Sequence, residues 1–477
     1  MPVNPPKHKE SLKKDNFAGM KALVMGLGIH GHGSGLEAAR YLAERGAEVT
    51  VTDLRDEKAL VSSIEELKNY PIHYVLGRHE IEDFRAADLV VKNPGVRSDS
   101  PYLKAARSIE TDISLFLAAC PARIIAVTGS KGKSSVSSAL YWALNEERKG
   151  KIRLGGNITP SPLSFLDELE DTDDVVLELS SWQLGDLLLR EPGGSDLLKP
   201  RAAVITPIMR DHMDRYDSME AYVADKRLIY RNQDEGDVTI AMDDGWGKDF
   251  LRESRGRPLL YSDKPLAEGT YGGWSDDPAG PGYARLRDTP VMEVVPGRPI
   301  VSGRHQKQNL LAAALALLDL GLDAGFIRES LGRFPGIEHR LEFFHESGGI
   351  RFYNDSTATI PEAAAAAITA FEKPPLLVCG GTDKELDFNP LAAAAGKAGG
   401  IFLLEGTGSE KLKRLLDSNG VKYCGPFDSL EAALGAVLET AARGDIVVLS
   451  PGCTSFGMFR NEFDRGQKWK AAVRKIF

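Results

Sequence analysis

The segment Thr128-Gly129-Ser130-Lys131-Gly132-Lys133-Ser134-Ser135 sits between an apolar run at 123–127 and a stretch of helical character, and few folds accommodate it. In that setting the backbone N–H groups of Gly129, Ser130, Lys131 and Gly132 can cradle phosphate oxygens. Lys133 can reach the outer phosphates of a nucleoside triphosphate, and a hydroxyl of Ser134, with Ser135 beside it, can bind Mg²⁺. A strand, a glycine loop and a helix in this order call for a parallel sheet whose strand ends are open to ligand. Val127 stands where the full GxxxxGK[ST] pattern has its first glycine. The bland alternative is a glycine loop made only for packing; the strand-loop-helix context favours triphosphate binding.

A second glycine loop, Gly26-Leu27-Gly28-Ile29-His30-Gly31, follows an apolar strand at 22–25 and opens a helix that runs to about 45. The next strand, 48–52, ends in Asp53, placed to accept hydrogen bonds from a sugar or base. This βαβ unit reads as nucleotide-binding and leaves a nicotinamide dinucleotide open, although Gly33 and Gly35 blur the fingerprint. At 477 residues the chain is long enough for about three domains. We expect a polar tail over 1–19 and domains over 20–120, 121–334 and 335–477, each α/β. Further strands are expected at 88–91, 175–179, 202–206, 351–353, 376–379, 401–404 and 446–449, and helices at 308–320, 361–371 and 430–442. The stretch 243–299 is rich in Gly, Pro and Asp, lacks helical periodicity, and reads as loops or short strands.

Three further places carry chemistry. Glu178 is a carboxylate inside an otherwise apolar strand, which is costly unless it is paired or bound to a metal. Asp211-His212-Met213-Asp214-Arg215 lies just past a strand, where ligands of parallel sheets collect, though its aspartates could instead cap a helix. Lys226 lies in a helical stretch where most lysines are simply solvated.

Composition excludes several classes. The 59 basic and 68 acidic residues give a net charge of −9, so a broad nucleic-acid-binding face is not expected. No apolar run approaches the ~20 residues of a membrane span. Cys120, Cys379, Cys424 and Cys453 form no CxxC pair and read as buried free thiols of a reducing compartment. The polar, lysine-rich start is not a secretory signal, and a cytoplasmic protein is expected.

In chain order stand Gly-Ser-Lys-Gly-Lys-Ser-Ser (129–135), Leu-Glu-Leu-Ser-Ser-Trp-Gln-Leu (177–184), Asp-His-Met-Asp-Arg-Tyr (211–216), the Lys226 segment, Ser-Gly-Arg-His-Gln-Lys-Gln-Asn (302–309), Glu-His-Arg (338–340) and Asn-Asp-Ser (354–356). Over nearly its whole length the chain resembles the Mur ligases. That resemblance implies a Rossmann-like N-terminal domain, a central P-loop ATPase-like domain and a C-terminal Rossmann-like domain. It implies an ATP- and Mg²⁺-dependent amide ligase of peptidoglycan precursor synthesis, with UDP-N-acetylmuramoyl-L-alanine and D-glutamate as the substrates, acting as a monomer.

By the same resemblance, Gly28, Ile29, His30, Gly31, Asp53, Leu54, Arg55, Asn93 and Gly95 hold the UDP end of the substrate. Asn157 and Gln183 meet its acyl end. The phosphate loop, Asn309, Arg340 and Asp355 bind ATP; Ser134, Glu178, His212 and Lys226 form the metal site, with Lys226 carbamylated; Thr359, Lys384 and Ser455 grip D-glutamate. The last domain is expected to close over the site. Several positions depart from the family pattern. Thr357 stands for the usual lysine and Gln306 for asparagine, the first glycine loop is two residues longer, and Phe463 is displaced by one. Arg460 is a candidate to replace the charge missing at Thr357. Rival readings are a nicotinamide-dependent dehydrogenase built on Gly26 to Asp53, and a nucleotide switch without ligation.

Overall fold

Apolar runs four to six residues long, separated by helices, can be covered on both faces only in parallel sheets. Three sheets form in this way. The computed structural model describes residues 17–28, 32–158, 160–190, 192–213, 215–277, 279–301, 303–371, 373–455 and 457–477. Most of the expected tail, Ile29, His30 and Gly31 of the first glycine loop, Asp214 and Ser302 lie outside the described residues.

The first sheet is wholly parallel, in the order Ile72–Leu76, Glu48–Asp53, Lys21–Met25, Leu89–Lys92, Ile109–Glu110. Strand order reverses direction at Lys21–Met25, so the loops that leave it and Leu89–Lys92 flank the crevice where ligands of such sheets bind.

The second sheet has nine strands. Its parallel part places Arg123–Thr128 between Asp174–Glu178 and Ala202–Ile205, so the three loops that leave these strands emerge side by side. At the far edge, Gly272–Trp274, Gly282–Arg285 and Met292–Val295 add two antiparallel pairings. The stretch 243–299 therefore does hold short strands. It also holds a helix, Gly245–Glu253, which the sequence reading missed. The Asp244 side chain caps it by accepting from Gly247 N, and Trp246 stacks on Phe250 one turn later. Two glycines in the first turn hid a periodicity that rests on those two aromatic residues.

The third sheet runs Glu342–Ser347, Ile350–Asn354, Ile446–Leu449, Leu376–Gly380, Gly400–Leu404, Cys424–Phe427, parallel except for its first pair. Its long flanking helices include Leu430–Thr440 and Glu462–Ile476.

Residue packing divides the chain into two compact units. One runs to Gly297 and takes back Gln308–Leu331; the other comprises Arg298–Lys307 and Gly332–Phe477. Cys120, Cys379 and Cys453 are buried free thiols as expected, whereas Cys424, on an edge strand, is exposed. Among the described residues no helix is long and apolar enough to cross a membrane.

Candidate active site: a phosphate loop with two lysines

Strand Arg123–Thr128 delivers the chain into a loop that ends at the helix Lys133–Arg148. Gly129 has φ +138°, and a Cβ there would lie 1.9 Å from Thr206 Oγ1, so only glycine passes this close to the neighbouring strand. Gly132 takes the left-handed conformation at the helix N-cap, and a Cβ on it would meet Asn309 Oδ1 at 2.4 Å. Asn309 is thus brought against the phosphate loop from a helix far along the chain. The N-cap of the helix is Gly132, which has no side chain to cap it, and the helix start is of the kind that attracts anions.

Ser130 is tied to the neighbouring loop and helix. Its N–H donates to Pro207 O at 3.0 Å, and its hydroxyl donates to Met209 O, accepts from Met209 N at 2.9 Å and lies 2.8 Å from the Tyr222 hydroxyl. With its N–H and hydroxyl engaged in this way, Ser130 shapes the loop.

Lys133 Nζ donates to Gly129 O at 2.9 Å and Ser130 O at 3.1 Å, and Lys226 Nζ donates to the same Gly129 O at 2.9 Å. Two ammonium groups therefore converge on one carbonyl. Lys226 is 1% exposed, on the helix Met219–Arg227. Burial, reinforced by the charge of Lys133, pulls its pKa down to about 7. The site thus holds a lysine much of which is neutral near pH 7, the form that can react as a nucleophile.

Glu178 ends its strand paired to Val127 on one side and Gly156 on the other, and is 1% exposed. Asn157 Nδ2 donates to Glu178 Oε1 at 2.7 Å, while Oε2, equally buried, has no hydrogen-bond partner among the described residues. A buried carboxylate oxygen with no donor is costly unless a cation meets it. The donor set suits Mg²⁺, a hard ion that takes oxygen ligands. His212, at φ +57°, is exposed, and its ring packs against Trp182 with centroids 4.7 Å apart.

A cavity of about 340 Å³ opens at the crevice of the first sheet. Gly28, Arg55, Asn93, Asn157 and Gln183, all anticipated, line it together with His32. Asn93 Nδ2 donates to Gly26 O at 3.1 Å, and Gly95 N donates to Asn93 Oδ1 at 2.9 Å, tying the two crevice loops together. Asp53 is not on the cavity wall. Its carboxylate turns inward and accepts from Leu27 N at 2.9 Å and Arg55 N at 2.9 Å. It braces the glycine loop, and Arg55 lines the cavity. Leu54 is 67% exposed.

The second unit gathers its own set where three adjacent parallel strands end. Asp355 is buried, accepting from Leu341 N at 3.0 Å and from Ser450 Oγ at 2.6 Å; burial pushes its pKa up to about 6. Thr454 Oγ1 donates to Thr382 O at 2.9 Å, so the loops bearing Lys384 and Ser455 are laced together. Lys384 is exposed, Thr359 half-buried and Ser455 buried; Arg340 is exposed. Near Thr357, whose hydroxyl donates to His339 O at 2.8 Å, the buried cation is Arg465 and not Arg460. Arg465 donates to Ser356 O at 2.8 Å and to Cys453 O at 3.2 Å, whereas Arg460 is exposed. Glu338, His339 and Glu342 offer three ligand atoms close together, but Lys470 Nζ already donates to Glu338 at 2.7 Å and Glu342 at 3.0 Å.

Three family patterns match the chain in succession: the Mur ligase MurD-like N-terminal domain at residues 20–114, the Mur ligase middle domain at 127–317, and the Mur ligase glutamate ligase domain at 339–453. The chain belongs to the Mur ligase family. It is 39% identical to a UDP-N-acetylmuramoylalanine--D-glutamate ligase of Treponema pallidum (strain Nichols), over 96% of this chain and 98% of that one. It is 40% identical to a ligase of the same name from Roseiflexus sp. (strain RS-1), over 96% and 99%. Among solved structures, UDP-N-acetylmuramate-alanine ligase MurC of Thermotoga maritima superposes with a TM-score of 0.55 at 19% identity, covering 96% of this chain and all of that one, a likeness of fold.

Within this Mur ligase, sequence reasoning overlooked Tyr222, which holds Ser130 and flanks Lys226 with its ring 4.5 Å from Nζ. It also gave Arg465 no role. The available signal was an arginine one helical turn before the apolar, buried Trp469 and on the same face.

Proposed function

We propose that the chain is the ATP-dependent ligase that joins D-glutamate to UDP-N-acetylmuramoyl-L-alanine in peptidoglycan precursor synthesis, acting as a cytoplasmic monomer. Near-full-length likeness to relatives of that name carries the reading. The site supports it chemically. A substrate carboxylate must approach the γ-phosphate of ATP, two anions that repel. Lys133 and the helix start supply the positive field, and the cavity lined by Arg55, Asn157 and Gln183 supplies the alignment. The carboxylate oxygen bonds to phosphorus as ADP leaves; the amine of D-glutamate then attacks the acyl carbon, loses a proton, and phosphate departs. Ser134, Glu178, His212 and a carbamylated Lys226 would hold Mg²⁺, which when bound screens the phosphate charge. Asn157, bonded to Glu178, and Gln183 face the acyl end; Asn309, Arg340 and Asp355 belong to the nucleotide. A dehydrogenase is disfavoured because it leaves the phosphate loop with Lys133, the buried Glu178 and the buried Lys226 without a role.

Thr359, Lys384 and Ser455 anchor the two carboxylates of D-glutamate from different loops. Losing a charge-assisted contact of ~1.5–3 kcal/mol, Lys384→Ala is expected to raise the KM for D-glutamate by about 10- to 100-fold. The KM for ATP should hardly move. In a phosphate-release assay D-glutamate should outcompete L-glutamate and D-alanine. Equal turnover with L-glutamate or a neutral amino acid would sink the assignment.

A further inference from the structure

His212 stands on a short turn at φ +57°, a conformation non-glycine residues rarely adopt without support. Arg215 supplies that support. Its N–H donates to His212 O at 2.9 Å, closing the turn. Its guanidinium lies 3.8 Å from the centroid of the Trp182 ring, and that same ring packs against His212 at 4.7 Å and 63°. Trp182 keeps this place although its buried indole N–H has no partner among the described residues, so the ring is retained for its faces.

The other end of Arg215 reaches the substrate crevice. One of its terminal nitrogens donates to Gly95 O at 2.8 Å, across 120 residues of sequence. Gly95 N is held by Asn93 Oδ1, and Asn93 Nδ2 by Gly26 O, in the glycine loop of the first sheet. Asn93 and its neighbour Pro94 line the cavity assigned above to the UDP-substrate. An unbroken run of contacts thus passes from the glycine loop through Asn93, Gly95, Arg215 and Trp182 to His212.

We propose that Arg215 is a positioning residue that couples occupancy of the nucleotide-sugar cavity to the placing of His212 as a metal ligand. The proposal rests on the reading of His212 as a metal ligand and of the crevice as the UDP-substrate site. The physical logic is that a guanidinium can satisfy a carbonyl with its edge and an aromatic ring with its face at once, which an ammonium cannot do in a fixed plane. A ligand that orders the Asn93 to Gly95 loop fixes the edge, hence the plane, hence the ring on which His212 rests. Metal then binds a site already arranged, and by reciprocity the metal strengthens substrate binding.

The test is phosphate release by the full chain, with ATP and D-glutamate saturating, titrated with Mg²⁺ at low and at saturating UDP-N-acetylmuramoyl-L-alanine. In the unaltered protein, saturating UDP-substrate should lower the Mg²⁺ half-saturation by roughly 10-fold. In Arg215→Ala that shift should vanish and kcat should fall, while the KM for D-glutamate stays put and thermal unfolding is little changed. Arg215→Lys should recover kcat in part but not the shift. Trp182→Leu should reproduce Arg215→Ala, and Trp182→Phe, which keeps an aromatic face, should not. A full shift in Arg215→Ala, or, if that variant fails to fold, in Arg215→Lys, overturns the proposal. His212→Ala separates the layers. If it leaves the Mg²⁺ requirement unaltered, the metal reading falls and the coupling with it; if it raises the requirement while Arg215→Ala does not, only the coupling falls.

Discussion

Lys226→Ala is expected to lower kcat by about 10³-fold, comparable with removing a principal electrostatic group from an active site. Short carboxylic acids should return part of the activity. The reason lies in the charge at Gly129 O, where Lys226 and Lys133 both donate. A second buried ammonium beside Lys133 is unfavourable, and burial and that neighbour pull Lys226 down to about 7. The neutral amine can add to carbon dioxide, and the carbamate that results is an anion able to ligate a hard cation. Rescue by a small carboxylate replaces that anion. No rescue, with an unmodified lysine seen by mass spectrometry of the intact protein, would contradict the carbamate. Stability gives an independent check on the depressed pKa. Between the folded value of about 7 and the ordinary 10.5, the unfolded chain binds a proton that the folded chain lacks, so stability conferred at this site rises with pH. Lys226→Met removes that slope. Its melting temperature in the absence of bicarbonate should exceed the parent's most at pH 7 and least near pH 10.

Glu178→Gln is expected to reduce ligation by at least about 10²-fold and yet to leave the fold intact or more stable. Glu178 Oε2 is buried without a donor, and a neutral amide of the same shape removes the cost of a buried charge that is not fully paired. Asn157 can continue to donate to the remaining carbonyl oxygen. Thermal unfolding with and without Mg²⁺ and a non-hydrolysable ATP analogue should show metal-dependent stabilisation in the parent and its loss in the variant. Full activity in Glu178→Gln would remove the metal assignment.

What could be read from the sequence follows the range of the interactions concerned. The phosphate loop was legible because its spacing is local, and Glu178 because a carboxylate in an apolar strand is anomalous wherever the strand lies. Central strands of all three sheets emerged from apolar runs, since strands covered on both faces have no alternation to misread, whereas the buried strand Val238–Met242 was not anticipated. Tertiary contacts account for the misses. Asp53 looked like a ribose acceptor, whereas the bonds it makes within the fold, from the Leu27 and Arg55 N–H groups, depend on contacts that the strand's own sequence does not show. Ser130 matched a motif whose hydroxyl and N–H are engaged by residues 207, 209 and 222. Lys226 has the local sequence of a solvated helix lysine, and only packing buries it. Arg465 is buried and Arg460 exposed because helix Glu462–Ile476 turns the face of Arg465 toward Ser356 and Cys453.

Oxygen-18 tracing tests the central claim most directly. UDP-N-acetylmuramoyl-L-alanine labelled in its terminal carboxylate is incubated with ATP, Mg²⁺, D-glutamate and the protein, and the released phosphate is weighed by mass spectrometry. If the carboxylate attacks the γ-phosphate and the amine of D-glutamate then displaces phosphate from the acyl carbon, one labelled oxygen leaves with each phosphate, and label appears in step with the D-glutamyl product. Unlabelled phosphate, or phosphate release that proceeds without D-glutamate and the UDP-substrate, would contradict the account.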